Sequence, residues 1–472
     1  MSEPASASEP TITPYQDAEY KHGLIAARID RIPLGSTQFL LASIMQITWG
    51  LVVALDLVFA RIYPFIWAPK GEITSFEFDM LLVFNTGVGI LIGEYGLGMV
   101  ADKFGRRPVL ILSALFAGGF IWEIAFSNSF WPLMAWNTLY AIGVGGALSV
   151  VNTYMHEIAP VNHRGFLALR TQLIALLLSA VIGSVPAYFW IPQHYQWVLF
   201  LDALLPLIVV IPLVLVFVPE SPRWLASKGR FDQADRTVKK WEAKAVRDGV
   251  ELPEPRVTDA VVTDKVPLSE LFKGIYGQRT ILLATVWFLA YAGMIYGQGS
   301  YLSLFLVGTD HFDAHQLFLE GLIGGLVGAA VFFIFSNIGE RLERKSIIVA
   351  GCVVYLIGGI ALVFATGVTG PFICAIVMTL GEYIFFMNLY SYTALSYPTR
   401  LRSAGTGWTD GIGHCGSALS PLVAGPLFTA TALSMNYGWF IWILLPGTFI
   451  PGLLILVFGK RQRGRALELL AE

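Results

Sequence analysis

Apolar residues along the chain form twelve runs, each long enough to cross a lipid bilayer as a helix of about 20 residues. Glycine, proline or clustered charges bound each run, which indicates where the helices end. The predicted helices 1 to 12 cover 39–59, 79–100, 108–127, 131–155, 166–190, 197–218, 281–304, 316–338, 346–366, 370–394, 404–428 and 435–459. The fold class that we predict is an all-α polytopic membrane protein.

Polar stretches between and around these runs divide the chain into five parts. We predict an N-terminal tail at 1–37, a six-helix half at 38–218 and a central loop with short helices at 219–280. A second six-helix half follows at 281–459, with a short tail at 460–472. An even number of helices places both termini on one side of the membrane.

The placement of charge predicts which side that is. Charged residues make up 14% of the chain, against about 25% in soluble proteins, which excludes a soluble globule. Of the 31 lysines and arginines, 29 fall on the side of the termini, whereas Arg61 and Lys70 fall in the predicted first outer loop. By the positive-inside rule both termini are cytoplasmic. We expect a plasma membrane, specifically a bacterial inner membrane, since the chain lacks glycosylation sequons and a large first outer loop.

Composition also limits the partners and the chemistry. The formal net charge of −2 describes no basic surface for nucleic acid. All three cysteines lie within apolar runs, so we expect free thiols and neither a disulfide framework nor a zinc cluster. No nucleophile elbow, phosphate loop or metal-ligand spacing is present, so we predict no enzyme, no cofactor and no metal.

Short motifs recur along the chain at one offset of 238 residues. GMVADKFGRR at 98–107 matches SNIGERLERK at 336–345, and the segment 160–164 matches 398–402. Such a repeat predicts two pseudo-symmetric six-helix halves related by an axis along the membrane normal. A solute site is then expected at their interface, near the midplane.

These residues resemble the major facilitator superfamily. GMVADKFGRR is similar to its signature between helices 2 and 3, and YMHEIAPVNHRG at 154–165 and PESPRWLASKGR at 219–230 are similar to its sugar porter branch. YPTRLRSAGTGW at 397–408 is similar to a branch that includes metabolite:proton symporters. The resemblance implies the twelve-helix major facilitator fold and transport by alternating access. Helix 7 lacks the paired glutamines and asparagine of sugar porters, which weakens a hexose as the substrate.

Charged residues at the cytoplasmic ends of the helices predict a gate. Asp102 lies at the C-terminal end of helix 2, where the helix dipole disfavours a carboxylate, so we expect Arg402 and the start of helix 11 to stabilise it. Glu157 and Arg164 suit a second charge network, which cannot be symmetric because Leu395 occupies the position equivalent to Glu157. The predicted gating residues are Asp102, Arg106, Glu157, Arg164, Glu340, Arg344 and Arg402.

Acidic residues inside the apolar runs are candidates for proton coupling. A charge at the centre of the bilayer costs roughly 2.5 to 3.5 kcal/mol on insertion scales, so such a carboxyl indicates function. We predict Asp56 in helix 1 and Glu382 in helix 10 as proton-coupling residues, with a hydrogen-bonded structural carboxyl as the alternative for each. The resemblance supports Asp56, because an acid in helix 1 often serves there. Asp410 and His414, four residues apart on helix 11, predict either a hydrogen-bonded pair or a packing contact.

Aromatic and amide side chains on one face of helix 7 predict a substrate surface. At 100° per residue, these side chains project from helix 7 within about 80° of one another. The internal repeat pairs this face of helix 7 with the face of helix 1 that carries Trp49. The predicted substrate-binding residues are Trp49, Gln172, Trp287, Tyr291, Gln298 and Tyr301. An aromatic stripe can also serve packing alone. With no arginine or lysine at midmembrane depth, sugars, polyols, amine-bearing metabolites and protonated acids are favoured over an obligate organic anion.

The leading functional hypothesis is secondary active transport, with proton-coupled import of a small polar organic metabolite such as a sugar or polyol. Export of organic cations or drugs, or facilitated diffusion, is the alternative, and a membrane sensor without transport is a different class. The expected partners are a small-molecule substrate, protons and the lipid bilayer, with no nucleic acid. We expect a monomer.

Overall fold

The computed structural model describes residues 14–160, 164–255, 268–295, 301–308, 312–338, 342–397, 399–431 and 437–462. The N-terminal part begins with α1 (Pro14–Asp30) and continues with α2 (Ser36–Val52), α3 (Ala54–Ile66), α4 (Ser75–Phe104), α5 (Arg106–Phe126), α6 (Phe130–Ile158), α7 (Arg164–Trp190) and α8 (Tyr195–Phe217). Two short helices follow in the central segment, α9 (Pro222–Ser227) and α10 (Phe231–Arg247).

A 3₁₀ turn at Leu268–Phe272 leads into the C-terminal half. Its helices are α11 (Gly274–Ile295), α12 (Ser303–Gly308), α13 (Ala314–Ile338), α14 (Arg344–Phe364), α15 (Thr369–Leu395), α16 (Thr399–Thr431) and α17 (Tyr437–Phe458). Within the described ranges, nine helices are long and apolar enough to span a bilayer. The pair α2 and α3, together with α16 and α17, completes the predicted twelve spans.

The internal repeat is visible in the helix bounds. Helices α5 and α14 each contain 21 residues, and they begin at Arg106 and Arg344, which are 238 residues apart. Helices α6 and α15 occupy matching places in the two halves. The predicted all-α fold with two six-helix halves is confirmed.

Most predicted helix ends differ from the structure by a few residues, and two predicted helices differ by seven residues at one end. Predicted helix 1 ends near residue 59, but α3 continues to Ile66 after a break between α2 and α3 at Val53. Predicted helix 7 begins at 281, but α11 already begins at Gly274. Both differences arise because a polar residue, Arg61 or Arg279, ends the apolar run without ending the helix.

Helices α4 and α6 approach each other so closely that their backbones touch. A Cβ atom added at Gly93 would collide with the carbonyl oxygen of Ile142, and one added at Gly145 would collide with that of Ile90. Two π-helical stretches, Val83–Ile90 and Gly93–Leu97, widen α4 in the same region. The small residues therefore bring the polar side chains of α4 into the interior of the N-terminal half.

The two halves meet along two pairs of helices. Helix α16 packs against the first part of α4, and α13 packs against α7. The α4 and α16 contact is close, since a Cβ atom at Gly87 would collide with Ala418. These four helices therefore line the interface where a solute site was expected.

A buried ion cluster joins α1 to the central segment. Arg28 donates to Glu242 and to Asp235, each at 2.6 Å, and Arg31 donates to Glu242, also at 2.6 Å. Glu242 is only 9% exposed. Burial by itself raises the pKa of Glu242, but the hydrogen bonds and charges of Arg28 and Arg31 outweigh it and lower the pKa. The stretch predicted as an N-terminal tail therefore contains a helix fixed to α10 by charge.

Replacing Glu242 with Gln is expected to reduce the stability of the docked α1 by about 1 to 3 kcal/mol, because two guanidinium groups lose their anionic acceptor. Since the folded-state pKa of Glu242 is lowered, its contribution is present above the unfolded value of about 4.3 and lost as the pH falls through the folded value. Thermal unfolding in detergent across this pH range measures the effect. Glu251→Gln, at an exposed residue beyond α10, is the control, and equal melting temperatures for both variants would contradict the prediction.

Candidate functional site

Asp56 lies in a polar network between three helices of the N-terminal half. At the break near Val53, the Asp56 amide donates to the Val53 carbonyl at 3.0 Å and to the Tyr140 hydroxyl at 3.2 Å. This hydroxyl donates in turn to the Val52 carbonyl at 3.1 Å. Asn85 donates to Asp56 Oδ1 at 3.3 Å and to Asn137 Oδ1 at 3.0 Å. The carboxyl group of Asp56 is therefore hydrogen-bonded, although it lies inside an apolar bundle.

An aromatic cluster fills the corresponding part of the C-terminal half. We define it as Trp287, Tyr291, Phe386 and Tyr390, whose ring centroids lie 4.6 to 5.9 Å apart for the contacting pairs. The hydroxyl groups of Tyr291 and Tyr390 are 3.0 Å apart, and both donate to Asp410 Oδ1, at 3.1 and 3.4 Å. Tyr390 remains 39% exposed. The cluster thus offers a ring surface with a carboxylate at one edge.

A carboxylate from the other half faces this edge. Glu94 on α4 places Oε2 at 3.9 Å from His414 Nε2 on α16. His414 is 5% exposed, and its ring stacks edge-on against Tyr291 with centroids 4.8 Å apart. In the described part of the chain neither ring nitrogen of His414 has a hydrogen-bond partner. Asp410 and His414 therefore lie close together without a hydrogen bond between them, which favours the packing contact of the two predicted alternatives.

A buried ion pair connects the halves at the end of the bundle away from the central segment. Arg61 Nη2 donates to Glu320 Oε2 at 2.8 Å, and the two side chains are 16% and 2% exposed. The charges of both residues also act on Glu382. The sequence placed Arg61 in an outer loop, which is wrong: it lies within α3 because Glu320 of the opposite half supplies the anion that makes its burial tolerable.

Two further polar contacts cross the interface at the same end. Tyr301 donates to Asp79 Oδ1 at 2.7 Å, and His315 Nδ1 lies 2.7 Å from the Tyr188 carbonyl oxygen. Tyr301, which was predicted to share a substrate surface with Trp287, donates here to Asp79 of the other half. Among the described residues, these three polar contacts hold the halves together at the end opposite the central segment.

The predicted gate residues at the other end form a network within the N-terminal half. Arg106 donates to Asp102 at 2.7 Å and to Glu157 at 2.9 Å. Glu220 accepts from the Arg106 amide at 2.9 Å, next to Gly105, whose φ of 114° suits glycine. The side chain of Asp102 is 73% exposed, and the partner described for it is Arg106. The contact with Arg402 stays a prediction, because the side chain of Arg402 lies outside the described residues.

A cavity of about 230 Å³ extends from this network into the bundle. Its lining includes Asp102 and Arg106 near the surface, Thr153 on α6, and Glu94 at the inner end. The cavity therefore connects the gate network with the carboxylate that faces the aromatic cluster.

The remaining predicted residues are less informative. Trp49 packs within the N-terminal half, Gln172 is half-buried on α7, and Arg344 is the first residue of α14. Gln298 and Glu340 lie outside the described residues, as do the side chains of Arg164 and Arg402.

Comparison with known proteins agrees with this architecture. The model of the family "Sugar (and other) transporter" matches residues 77–297. The niacin transporter NiaP of Acinetobacter baylyi is 26% identical over 94% of this chain and 99% of its own length. The 4-hydroxybenzoate transporter PcaK of the same organism is 29% identical over 77% of this chain and 78% of its own.

Among solved structures, the major facilitator superfamily proton:xylose symporter XylE, from E. coli, has a TM-score of 0.63 and 18% identity. The likeness covers 96% of this chain and 98% of that one. The relatives named here are transporters, and the chain has the fold of the major facilitator superfamily. It is a multi-pass membrane protein and not an enzyme, as the sequence predicted.

Several polar residues of this transporter were not identified from its sequence. Asn85 and Asn137 support Asp56, Glu220 fixes the turn at Gly105, and Asp79 and Glu320 bind the other half. The sequence signal that could have identified such residues is the presence of asparagine and glutamate inside apolar runs. Their partners were not deducible, because each partner lies on another helix.

Removal of either member of the Arg61 and Glu320 pair is expected to destabilise the transporter by about 3 to 5 kcal/mol, since the other charge is left buried. Arg61→Met and Glu320→Met should each lower the melting temperature in detergent, whereas the double variant should recover most of the loss. Glu72→Gln is the control, because its partner Lys70 is 49% exposed and 3.9 Å away. Additive losses in the double variant would show that the two charges are not coupled.

Proposed function

We propose that the protein imports a small aromatic carboxylate together with protons. The aromatic cluster, with its two tyrosine hydroxyls directed at Asp410, is the observation that carries the proposal. Flat rings bind well against tryptophan and tyrosine, and the exposed surface of Tyr390 is available for such stacking. A pocket of mostly apolar walls with a few directed polar groups suits a molecule of this kind.

The names of the relatives support this substrate class. Niacin and 4-hydroxybenzoate, which NiaP and PcaK carry by name, are both single aromatic rings with one carboxylate. XylE carries xylose with protons, so a sugar or polyol stays the second candidate. Organic cations are the third, favoured by the acidic groups Glu94 and Asp410 beside the rings.

Charge balance explains why protons would accompany an aromatic acid. Glu94 and Asp410 lie beside the aromatic cluster, and an ionised substrate is repelled unless these acids are protonated. Asp56 and Glu382 are the predicted proton-coupling residues, and each lies inside the bundle on a different half. Arg61 provides a buried cation between the halves, to which a substrate carboxylate can bind when Glu320 is displaced.

Alternating access follows from the placement of the contacts between the halves. At one end of the interface, Arg61 with Glu320 and Asp79 with Tyr301 hold the halves closed. At the other end, Asp102 is exposed and the cavity reaches Glu94. We infer that this conformer is open toward the side of the central segment. The opposite state forms when the contacts at the first end break and the halves close at the end that carries Asp102.

Transport is tested with the purified full-length protein in proteoliposomes. An imposed inward proton gradient should drive accumulation of labelled nicotinate or 4-hydroxybenzoate, and a protonophore should abolish it. Xylose, a polyol and a quaternary amine complete the panel. If xylose, the polyol or the amine accumulates and neither aromatic acid does, that compound takes the place of the proposed substrate. Accumulation without a proton gradient would exclude coupling to protons.

Asp56→Asn is expected to abolish accumulation driven by the gradient while exchange of substrate across the membrane continues. The amide keeps the hydrogen bond with Asn85 but cannot release a proton. Asp248→Asn, at an exposed position after α10, is the matched control and should transport normally. Unchanged accumulation in Asp56→Asn would remove Asp56 from the coupling mechanism.

We further propose that the termini and the central segment face the cytoplasm, because 29 of 31 lysines and arginines fall on that side. A cysteine introduced at exposed Lys240 should react with an impermeant maleimide only in inverted membrane vesicles. A cysteine at exposed Lys70, in the loop after α3, should react in intact cells. The reverse pattern would invert the proposed orientation.

A further inference from the structure

Three potential metal ligands meet where α4 of one half crosses α16 of the other. Glu94, Asp410 and His414 each bring one ligand atom to this place, and these atoms all lie within 4.8 Å of one another. Imidazole and carboxylate are the ligands that Zn²⁺ takes besides thiolate. With bond lengths of about 2.0 to 2.2 Å, ligands of one zinc ion lie about 3.4 Å apart. Closing the cluster around an ion thus needs side-chain movements of about 1 Å.

The histidine at this place has no other partner to explain its burial. His414 is 5% exposed, and within the described residues neither of its ring nitrogens forms a hydrogen bond. Most buried polar atoms in proteins form hydrogen bonds. A buried imidazole that faces a carboxylate without a hydrogen bond therefore indicates a binding site for a ligand. Glu94 Oε2 is also without a hydrogen bond in the described part of the chain, and it lies 3.9 Å from His414 Nε2.

The groups around the cluster orient its members as the outer shell of a metal site does. Tyr291 and Tyr390 donate to Asp410 Oδ1, which leaves the second carboxylate oxygen available for a metal. The ring of Tyr291 also contacts the His414 ring at 4.8 Å between centroids. Outer partners of this kind fix the direction of metal ligands.

An ion can reach these three residues through the cavity, and its binding would affect transport because the residues belong to different halves. Glu94 lines the cavity that begins at Asp102, so an ion can enter from the side of the central segment. Glu94 belongs to the N-terminal half, whereas Asp410 and His414 belong to the C-terminal half. An ion bound to all three residues cross-links the halves, which must move relative to each other during alternating access.

We propose that Glu94, Asp410 and His414 form a zinc site that joins the two halves and arrests the transporter. The inference goes beyond the proposed function, since it concerns inhibition by a metal ion and not the transported substrate. A group of three protein ligands leaves a fourth position for water, as in open zinc sites.

The test uses the full-length protein in detergent, freed of metal with a chelator and titrated with zinc chloride. Zn²⁺ should raise the melting temperature of the wild type, because an ion that binds the folded state stabilises it. His414→Asn and Glu94→Gln each remove a direct ligand, so each should weaken binding by more than the roughly 10- to 100-fold that loss of an outer-shell partner costs. His414→Cys should retain binding, because thiolate is also a zinc ligand. His194→Asn, at an exposed residue before α8, is the control and should respond as the wild type does.

The same titration in proteoliposomes should show that zinc inhibits solute exchange in the wild type and in His194→Asn but not in His414→Asn. The shift in melting temperature is measured without a substrate, so the absence of a shift would not affect the proposed function. In the same way, the absence of aromatic acid transport would not affect the proposed zinc site. No zinc-dependent shift in the wild type, or an equal shift in His414→Asn, would overturn the proposal. Loss of binding in His414→Cys together with His414→Asn would also overturn it.

Discussion

Burial of charge between two apolar halves is the constraint on which the rest of this structure depends. A charged side chain inside a bundle is tolerated only when a partner or a proton compensates it. Arg61 lies within a membrane-spanning helix because Glu320 of the other half binds it at 2.8 Å. Asp56 is held by Asn85 and by the backbone geometry around Val53. Each charge therefore fixes the relative position of the helices that compensate it.

Close backbone packing is what lets these partners meet. Glycines at 93 and 145 remove the side chains that would separate α4 from α6, and Gly87 does the same between α4 and α16. The π-helical stretches of α4 then direct Asn85 and Glu94 inward from one helix. As a result, α4 takes part in the network around Asp56, in the contact with His414 and in the ion pair between Asp102 and Arg106.

The two halves share a backbone plan but differ in chemistry. Arg106 and Arg344 begin equivalent helices, yet Arg106 binds Glu157 while the equivalent of Glu157 in the second half is Leu395. The aromatic cluster likewise belongs to the C-terminal half, whereas the polar network around Asp56 belongs to the N-terminal half. The aromatic rings therefore lie on one side of the interface and the network around Asp56 lies on the other, while Asp410 adds a hydrogen-bonded carboxylate on the side of the rings.

The sequence alone determined the class of fold, the number of spans and the repeat. These depend on local information: apolar runs about 20 residues long and short charged motifs at a constant offset. Helix bounds were less secure, because Arg61 ends an apolar run without ending α3. The tertiary structure decided which polar residues meet. Tyr301 binds Asp79, and Glu94 faces His414, across helices far apart in the chain. Helical periodicity assigns a residue to a face of its own helix, but only the packing of the two halves decides what that face meets.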